Sequence, residues 1–179
     1  MRITGGRTGN SKQCIIKKSN NYVDFRVPNG DAYMVITFLE GTGVDAYDRR
    51  LDRILTETDE YWDRTHDIIQ WLFPLAQQSR SVRNAPVLTG DEIKQIRESE
   101  TAQANIQRSV LRYMEFLAGT TNWRSGYDHN HLRISRVIKS LRLLVGNEAA
   151  NGFKHWVADQ LGDQIDSIHA ESRRHWRLS

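Results

Sequence analysis

From Leu51 to Trp176, apolar residues recur at the three- and four-residue spacing of helices that bury one face. Leu51, Ile54 and Leu55 mark a short one. The next has Asp59 as its cap and Trp62, Ile69 and Phe73 on its buried side, and Pro74 ends it. Thr89-Gly90-Asp91-Glu92 has the spacing of a capping box, in which hydroxyl and carboxylate each satisfy an orphan amide; Ile93 and Ile96 follow. Thr101 can cap a longer helix that carries Ile106, Val110, Tyr113, Met114 and Leu117. The most regular pattern runs from Leu132 to Val145, with Arg133, Arg136, Lys139 and Arg142 on the face opposite the aliphatic residues. Gly146 suits the position just past its end. Two further helices gather around Phe153, Trp156, Val157 and Leu161, and around Ile165, Ile168 and Trp176.

Elsewhere the helical period fails. Leu75–Leu88 reads as a long connection, which is uncommon unless it packs on the domain or serves function. Gly119–Tyr127 reads as a polar loop, and Ala32–Leu39 as an apolar segment of either helix or strand. Tyr22 to Val27 alternates with period two, and short apolar runs flank Ser19-Asn20-Asn21, which suggests a small β-hairpin between Cys14 and Val27. The expected fold is therefore mainly α: about six or seven helices in one globular domain over residues 31–179, preceded by a flexible arm over 1–30.

Composition narrows the class. A chain of 179 residues, 39% hydrophobic and 26% charged, can bury a core without disulfides. Its longest apolar stretch, Ile68–Ala76, is broken by Gln70 and Pro74, too short for a membrane span of roughly 20 residues. MRITGGRTGNSK lacks the apolar centre of a secretory signal. Cys14 is the single cysteine, which excludes an intrachain disulfide and fits a reducing, cytoplasmic setting. Net charge is +3, but residues 1–30 hold six Lys/Arg against one acid, so the rest of the chain is near balance. A basic arm can meet nucleic acid, yet no aromatic residue is interleaved before Tyr22, and solubility explains it as well.

Candidate chemistry is sparse. GGRTGNSK lacks the Gly-Lys-Ser/Thr of a phosphate loop. Asp59, Asp63 and Asp67 repeat every four residues beside His66, which allows an acid–base site or simply a negatively charged first turn. His129 and His131, with His66 as a third ligand, fall short of a tetrahedral zinc set, so no metal or other cofactor is assigned. The cations of the 132–145 helix could track phosphates; pairing with the acids at Asp59–Asp67 is the favoured alternative, because the body carries no cationic excess.

Two blocks carry a resemblance. His66-Asp-Ile-Ile-Gln70-Trp71-Leu72-Phe73-Pro74, and His129-Asn130-His131-Leu132-Arg133-Ile134-Ser135-Arg136 continuing to Leu141, are similar to the conserved domain of the opioid growth factor receptor family. Asn84-Ala85-Pro86 and Arg112-Tyr-Met-Glu-Phe-Leu agree with it, and the similarity runs from about Phe38 to about Trp156. Trp62-Asp63 in place of Leu-Glu and Ser135 in place of Thr are mild departures. The chain looks like a stand-alone, bacterial-type copy of that domain. The resemblance implies a peptide receptor role and brings no catalytic residue with it; family alone does not fix function.

These observations lead to a non-enzymatic helical binding module for a peptide or protein ligand. His66, Gln70, Asn130, Arg133 and Arg136 should converge between two adjacent helices, either as a ligand-binding set or as a buried structural network. His66 and Gln70 are expected to share a helix face at i, i+4. Trp71 should be buried. One alternative is an enzyme using His66 with Asp63 or Asp67, metal-assisted through His129 and His131. Another is a nucleic-acid-associated protein using the basic arm and the Arg133–Arg142 face.

Overall fold

The computed structural model describes residues 35–176, together with the backbone of 15–18 and 21–24. Those two short segments form an antiparallel hairpin, Ile15–Lys18 with Asn21–Asp24, in the register Ile16 opposite Val23 and Lys17 opposite Tyr22. The remainder of the expected basic arm lies outside the described residues.

The body is helical. Val35–Leu39 (α1) and Leu51–Leu55 (α2) are short and lean on buried aliphatic and aromatic side chains. Asp59–Arg64 (α3) is capped by Thr58, whose hydroxyl accepts from the Tyr61 amide, so Asp59 is the first helical residue and not the cap. Ile68–Leu72 (α4) is buried on every side, the signature of a core helix. Gly90–Glu98 (α5) begins in the expected Thr89–Glu92 capping box. Glu100–Gly119 (α6) starts one cap earlier than the pattern suggested, with Ser99 accepting from the Ala102 amide where Thr101 was expected. His129–Leu144 (α7), Asn147–Leu161 (α8) and Ala170–Trp176 (α9) complete the order.

The described residues thus hold nine α-helices, more than the six or seven expected, because the Ala32–Leu39 segment contains α1 and the rod expected from Asp59 to Phe73 breaks in two. The last rod becomes a 3-10 segment, Gly162–Ser167, followed by α9. The rod expected from Asp59 to Phe73 splits at Thr65–Asp67 into α3 and α4. A continuous helix would give the carbonyls of Trp62 and Asp63 to the amides of residues 66 and 67. Instead the Arg133 guanidinium donates to both, at 2.9 and 3.1 Å. The helix stops because a cation from elsewhere in the chain takes over its last carbonyls.

Helix α7 runs through the centre and packs against α5, α8 and α9. Its start also differs from expectation: Asp128 accepts from the Asn130 amide at 2.7 Å, which brings His129 and His131 into the first turn rather than ahead of it. At its other end Gly146 adopts φ +141°, a conformation that side-chain-bearing residues rarely take, and its amide closes on Leu141 O at 2.8 Å. The core is aromatic at its middle, where Trp62, Phe73, Tyr113, Phe116 and Phe153 meet at ring-centroid distances of 6.0–6.2 Å. Trp71 is buried as expected, edge-on to Phe38 at 5.4 Å. Trp123, placed by its sequence in a polar loop, is also buried, its indole N–H donating to Leu117 O at 2.8 Å.

Candidate functional site

The second sequence block lies along α7, and three of its side chains reach the chain ends of α3 and α4. Arg133, 6% exposed, donates to the Trp62 and Asp63 carbonyls, to Asn130 Oδ1 at 3.2 Å and to His66 Nδ1 at 2.8 Å. Arg136 donates from Nε to Phe73 O at 2.9 Å, and Ser140 from its hydroxyl to Pro74 O at 2.9 Å. Three polar positions of Leu-Arg-Ile-Ser-Arg-Val-Ile-Lys-Ser, Arg133, Arg136 and Ser140, are thus donors aimed at carbonyls at or just past the ends of α3 and α4.

His66 falls in the break between α3 and α4, so it does not share a helix face with Gln70. The link between them is local: with its amide oriented to satisfy both atoms, Gln70 donates to the carbonyls of His66 at 2.6 Å and Asp67 at 3.2 Å. The structure brings His66, Asn130 and Arg133 into direct contact and attaches Gln70 through the backbone at His66. Arg136 stands one turn further along α7, at the far end of α4.

Because a guanidinium only donates, His66 must present a bare Nδ1 to Arg133 and carry its proton on Nε2. Burial, then the positive charge of Arg133, then His129 hold the His66 pKa below the usual histidine value. Burial likewise lowers Arg133, opposed in part by Tyr113, Asp63 and Asp128. For Arg136, burial alone lowers the pKa to about 10, which leaves it charged at neutral pH. Its Nη2 is buried with no hydrogen-bond partner among the described residues.

Other sequence expectations are redistributed. The α7 cations do not pair with the Asp59–Asp67 acids: Arg133 and Arg136 take carbonyls, while Asp59 pairs with Arg112 at 2.7 Å and Asp67 with Arg49. The His66–carboxylate dyad of the enzyme alternative is not formed, since Asp63 faces His129 at 3.3 Å and Asp67 faces Arg49. The two histidines of His129-Asn-His131 part company. His131 is buried in the core, its Nε2 2.7 Å from Trp123 O and its ring edge-on to Trp176. Among the described residues no group of three or more His, Cys, Asp or Glu side chains could hold a metal. The cationic face of the nucleic-acid alternative is also divided, with Arg133 and Arg136 turned inward and Lys139 and Arg142 exposed.

Sequence reasoning missed two features. Asp45, wholly buried, accepts from the amides of Tyr47 and Arg49 and from Arg49 Nε at 2.6 Å, and Arg49 also reaches Asp67 and the Tyr61 hydroxyl. Burial opposes the charge on Arg49, but the two carboxylates outweigh it and raise the pKa. The signal was the aspartate ahead of a turn in Val44-Asp-Ala-Tyr-Asp-Arg49, a common way to satisfy turn amides. The second feature is the Leu75–Leu88 connection. It closes on itself through Leu88 N to Leu75 O at 3.0 Å, and its Gln77–Val82 stretch forms one wall of a cleft of about 630 Å³. The other walls come from α4, α7 and α9, including His66, Gln70, Arg133 and Arg136.

The fold and this site define a helical module with a basic, amide-lined cleft between its two sequence blocks. Residues 46–126 match the family model described as the opioid growth factor receptor (OGFr) conserved region. The resemblance read from the residues is thus matched by this family model over that span. The matched span includes the His66–Pro74 block and ends before the His129 block. Opioid growth factor receptor-like protein 1 of Rattus norvegicus is 33% identical over 102 residues, covering 46% of this chain and 21% of that protein. Opioid growth factor receptor of Homo sapiens is 29% identical over 172 residues, covering 78% of this chain and 24% of that protein. The chain therefore spans about a fifth to a quarter of the length of these relatives. No solved structure matches the chain. Among the described residues no helix is long and apolar enough to cross a membrane.

Proposed function

We propose that this protein is a non-enzymatic binding module whose cleft between α4, the Gln77–Val82 loop and α7 receives a peptide or protein segment. The observation that carries this reading is the composition of the cleft. Gln77, Gln78, Ser79 and Ser81 line its loop wall, and amides and hydroxyls both donate and accept, as an extended peptide backbone requires. Its volume of about 630 Å³ lies in the range of ligand sites. The printed names of the relatives, a receptor and a receptor-like protein, point the same way. Within the sequence-derived set, Arg133, Asn130 and Gln70 build and hold the wall, whereas His66 and Arg136 are the members left to meet a ligand. An enzymatic role gains nothing from this arrangement, because a histidine beside a guanidinium is a weakened base.

The test is selection of peptides from a random library on immobilised protein, followed by fluorescence anisotropy with wild type and Lys139→Trp. Lys139 is exposed on the cleft wall, so the indole fills the cleft without removing a structural bond. Selected peptides should lose at least about tenfold in affinity, roughly the contribution of one blocked anchor. Peptides that bind both proteins equally would refute the cleft as the binding site.

A further inference from the structure

The walls of the cleft are electrically one-sided. Arg80, Arg133, Arg136 and Lys139 line it with three histidines, against the single carboxylate of Glu171. Glu171 lies 3.8 Å from His175, on the α9 side. Arg133 has spent its donors on carbonyls, Asn130 and His66. Arg136 has not: of its donor groups only Nε has a partner among the described residues, Nη2 is buried and unpartnered, and no carboxylate pairs with it. Lys139, three residues on along the same helix, neighbours it, and Arg80 lines the loop wall of the same cleft. A concave, low-dielectric surface of one sign concentrates the field, and a charge already stripped of water gains more from a counter-ion than a solvated one.

We infer that the cleft contains an oxyanion site centred on Arg136, which takes a carboxylate or phosphate group of the bound segment, with Lys139 and Arg80 as supporting cations. This deepens the reading of the cleft as a peptide site and rests on it. An oxyanion accepts from the guanidinium fork and supplies the counter-charge that the fold itself withholds from Arg136.

The probes are inorganic phosphate and acetate, titrated at constant ionic strength against chloride and followed by side-chain Nε–H and backbone amide NMR shifts. Wild type should show a saturable response at Arg136 and its neighbours. Arg136→Gln should weaken it by about tenfold and Lys139→Gln by a few-fold, while Arg142→Gln, exposed and off the cleft, leaves it intact. The Lys139 variant removes an exposed cation and keeps the test valid should Arg136→Gln fold poorly. A far stronger response to phosphate assigns a phosphorylated segment; comparable responses assign a carboxylate. A response that never saturates, or that Arg142→Gln weakens as much as Lys139→Gln, overturns the site. If library peptides bind the cleft without acidic residues and phosphate saturates nothing, this inference falls and the peptide reading stands. If phosphate saturates at Arg136 and no peptide is selected, the peptide reading falls and the oxyanion site stands.

Discussion

Arg133 and Arg136 stand one turn apart on the same helix, and both point at the ends of shorter helices, yet their surroundings differ. Arg133 is closed on all sides by two carbonyls, an asparagine oxygen and a histidine nitrogen. Arg136 makes one bond, to Phe73 O, and keeps a buried nitrogen with nothing to donate to. Neither is paired with a carboxylate among the described residues. The lesson is that a buried arginine can be structural without an ion pair, provided carbonyls released by helix ends take its donors. Where those carbonyls run out, the same residue type becomes a candidate for binding.

The largest expected effect concerns the core packing of α4, whose C-terminal carbonyl at Phe73 accepts from Arg136. Trp71 fills the core beside Phe38, and Trp71→Ala should cost about 3–5 kcal/mol, as truncation of a large buried aromatic does. Urea denaturation followed by circular dichroism measures it. An unchanged midpoint would mean that α4 does not pack with its indole inward.

Next comes the test of the Arg133 half. Arg133→Met keeps much of the side-chain length and removes every donor, leaving the Trp62 and Asp63 carbonyls and Asn130 Oδ1 without their partner. The expected loss is about 3 kcal/mol, the sum of small penalties for polar groups left unsatisfied. Arg133→Lys should recover only part of it, since one ammonium cannot span acceptors that a planar fork holds at once. A loss below about 1 kcal/mol would place Arg133 with exposed surface cations instead.

How much of this was legible beforehand depends on whether the signal was local. The capping box at Thr89–Glu92, the burial of Trp71 and the helical phase of α7 follow from spacing of a few residues, and each was readable. The break between α3 and α4 was not. Trp62, Ile69 and Phe73 fit one helical stripe, and only Arg133, some seventy positions later, removes the carbonyls that would have continued the helix. The same distance hid the partners of the acids: Asp63 and Asp67 look like one charged face, but they diverge toward His129 and Arg49. Polar residues inside apolar blocks stand out in a sequence, which is why His66, Gln70, Asn130, Arg133 and Arg136 are singled out; their division into bonded and open members required the third dimension. The Gln77–Val82 wall had no pattern to betray it beyond the length of the connection.

The Arg136 half predicts a small number where the Arg133 half predicts a large one. Arg136→Met deprives Phe73 O of one donor but also removes a charge that burial disfavours and no anion offsets. These oppose each other, so stability should stay within about 1 kcal/mol of wild type. A loss equal to that of Arg133→Met, measured under the same conditions, would erase the distinction between the two arginines.

The smallest effect concerns the histidine that touches only one of them. In the folded protein His66 has its pKa held below 6.5, whereas the unfolded chain titrates near that value. Below that value the unfolded state therefore binds more protons than the folded state, and stability rises with pH across this window. Going down from pH 7.5, the folded state should keep its full stability to about 6.5 and then weaken as protonation turns Nδ1 from an acceptor into a donor facing Arg133 Nη2. His66→Gln removes the titration while its side-chain oxygen can still accept from Arg133, so its melting temperature should fall less than wild type's between pH 7 and 5.5. Parallel curves would show that His66 bears no proton-sensitive bond to Arg133. A variant on the Arg136 side, such as Lys139→Gln, should leave the wild-type slope in place, because no titrating acceptor among the described residues bonds to Arg136.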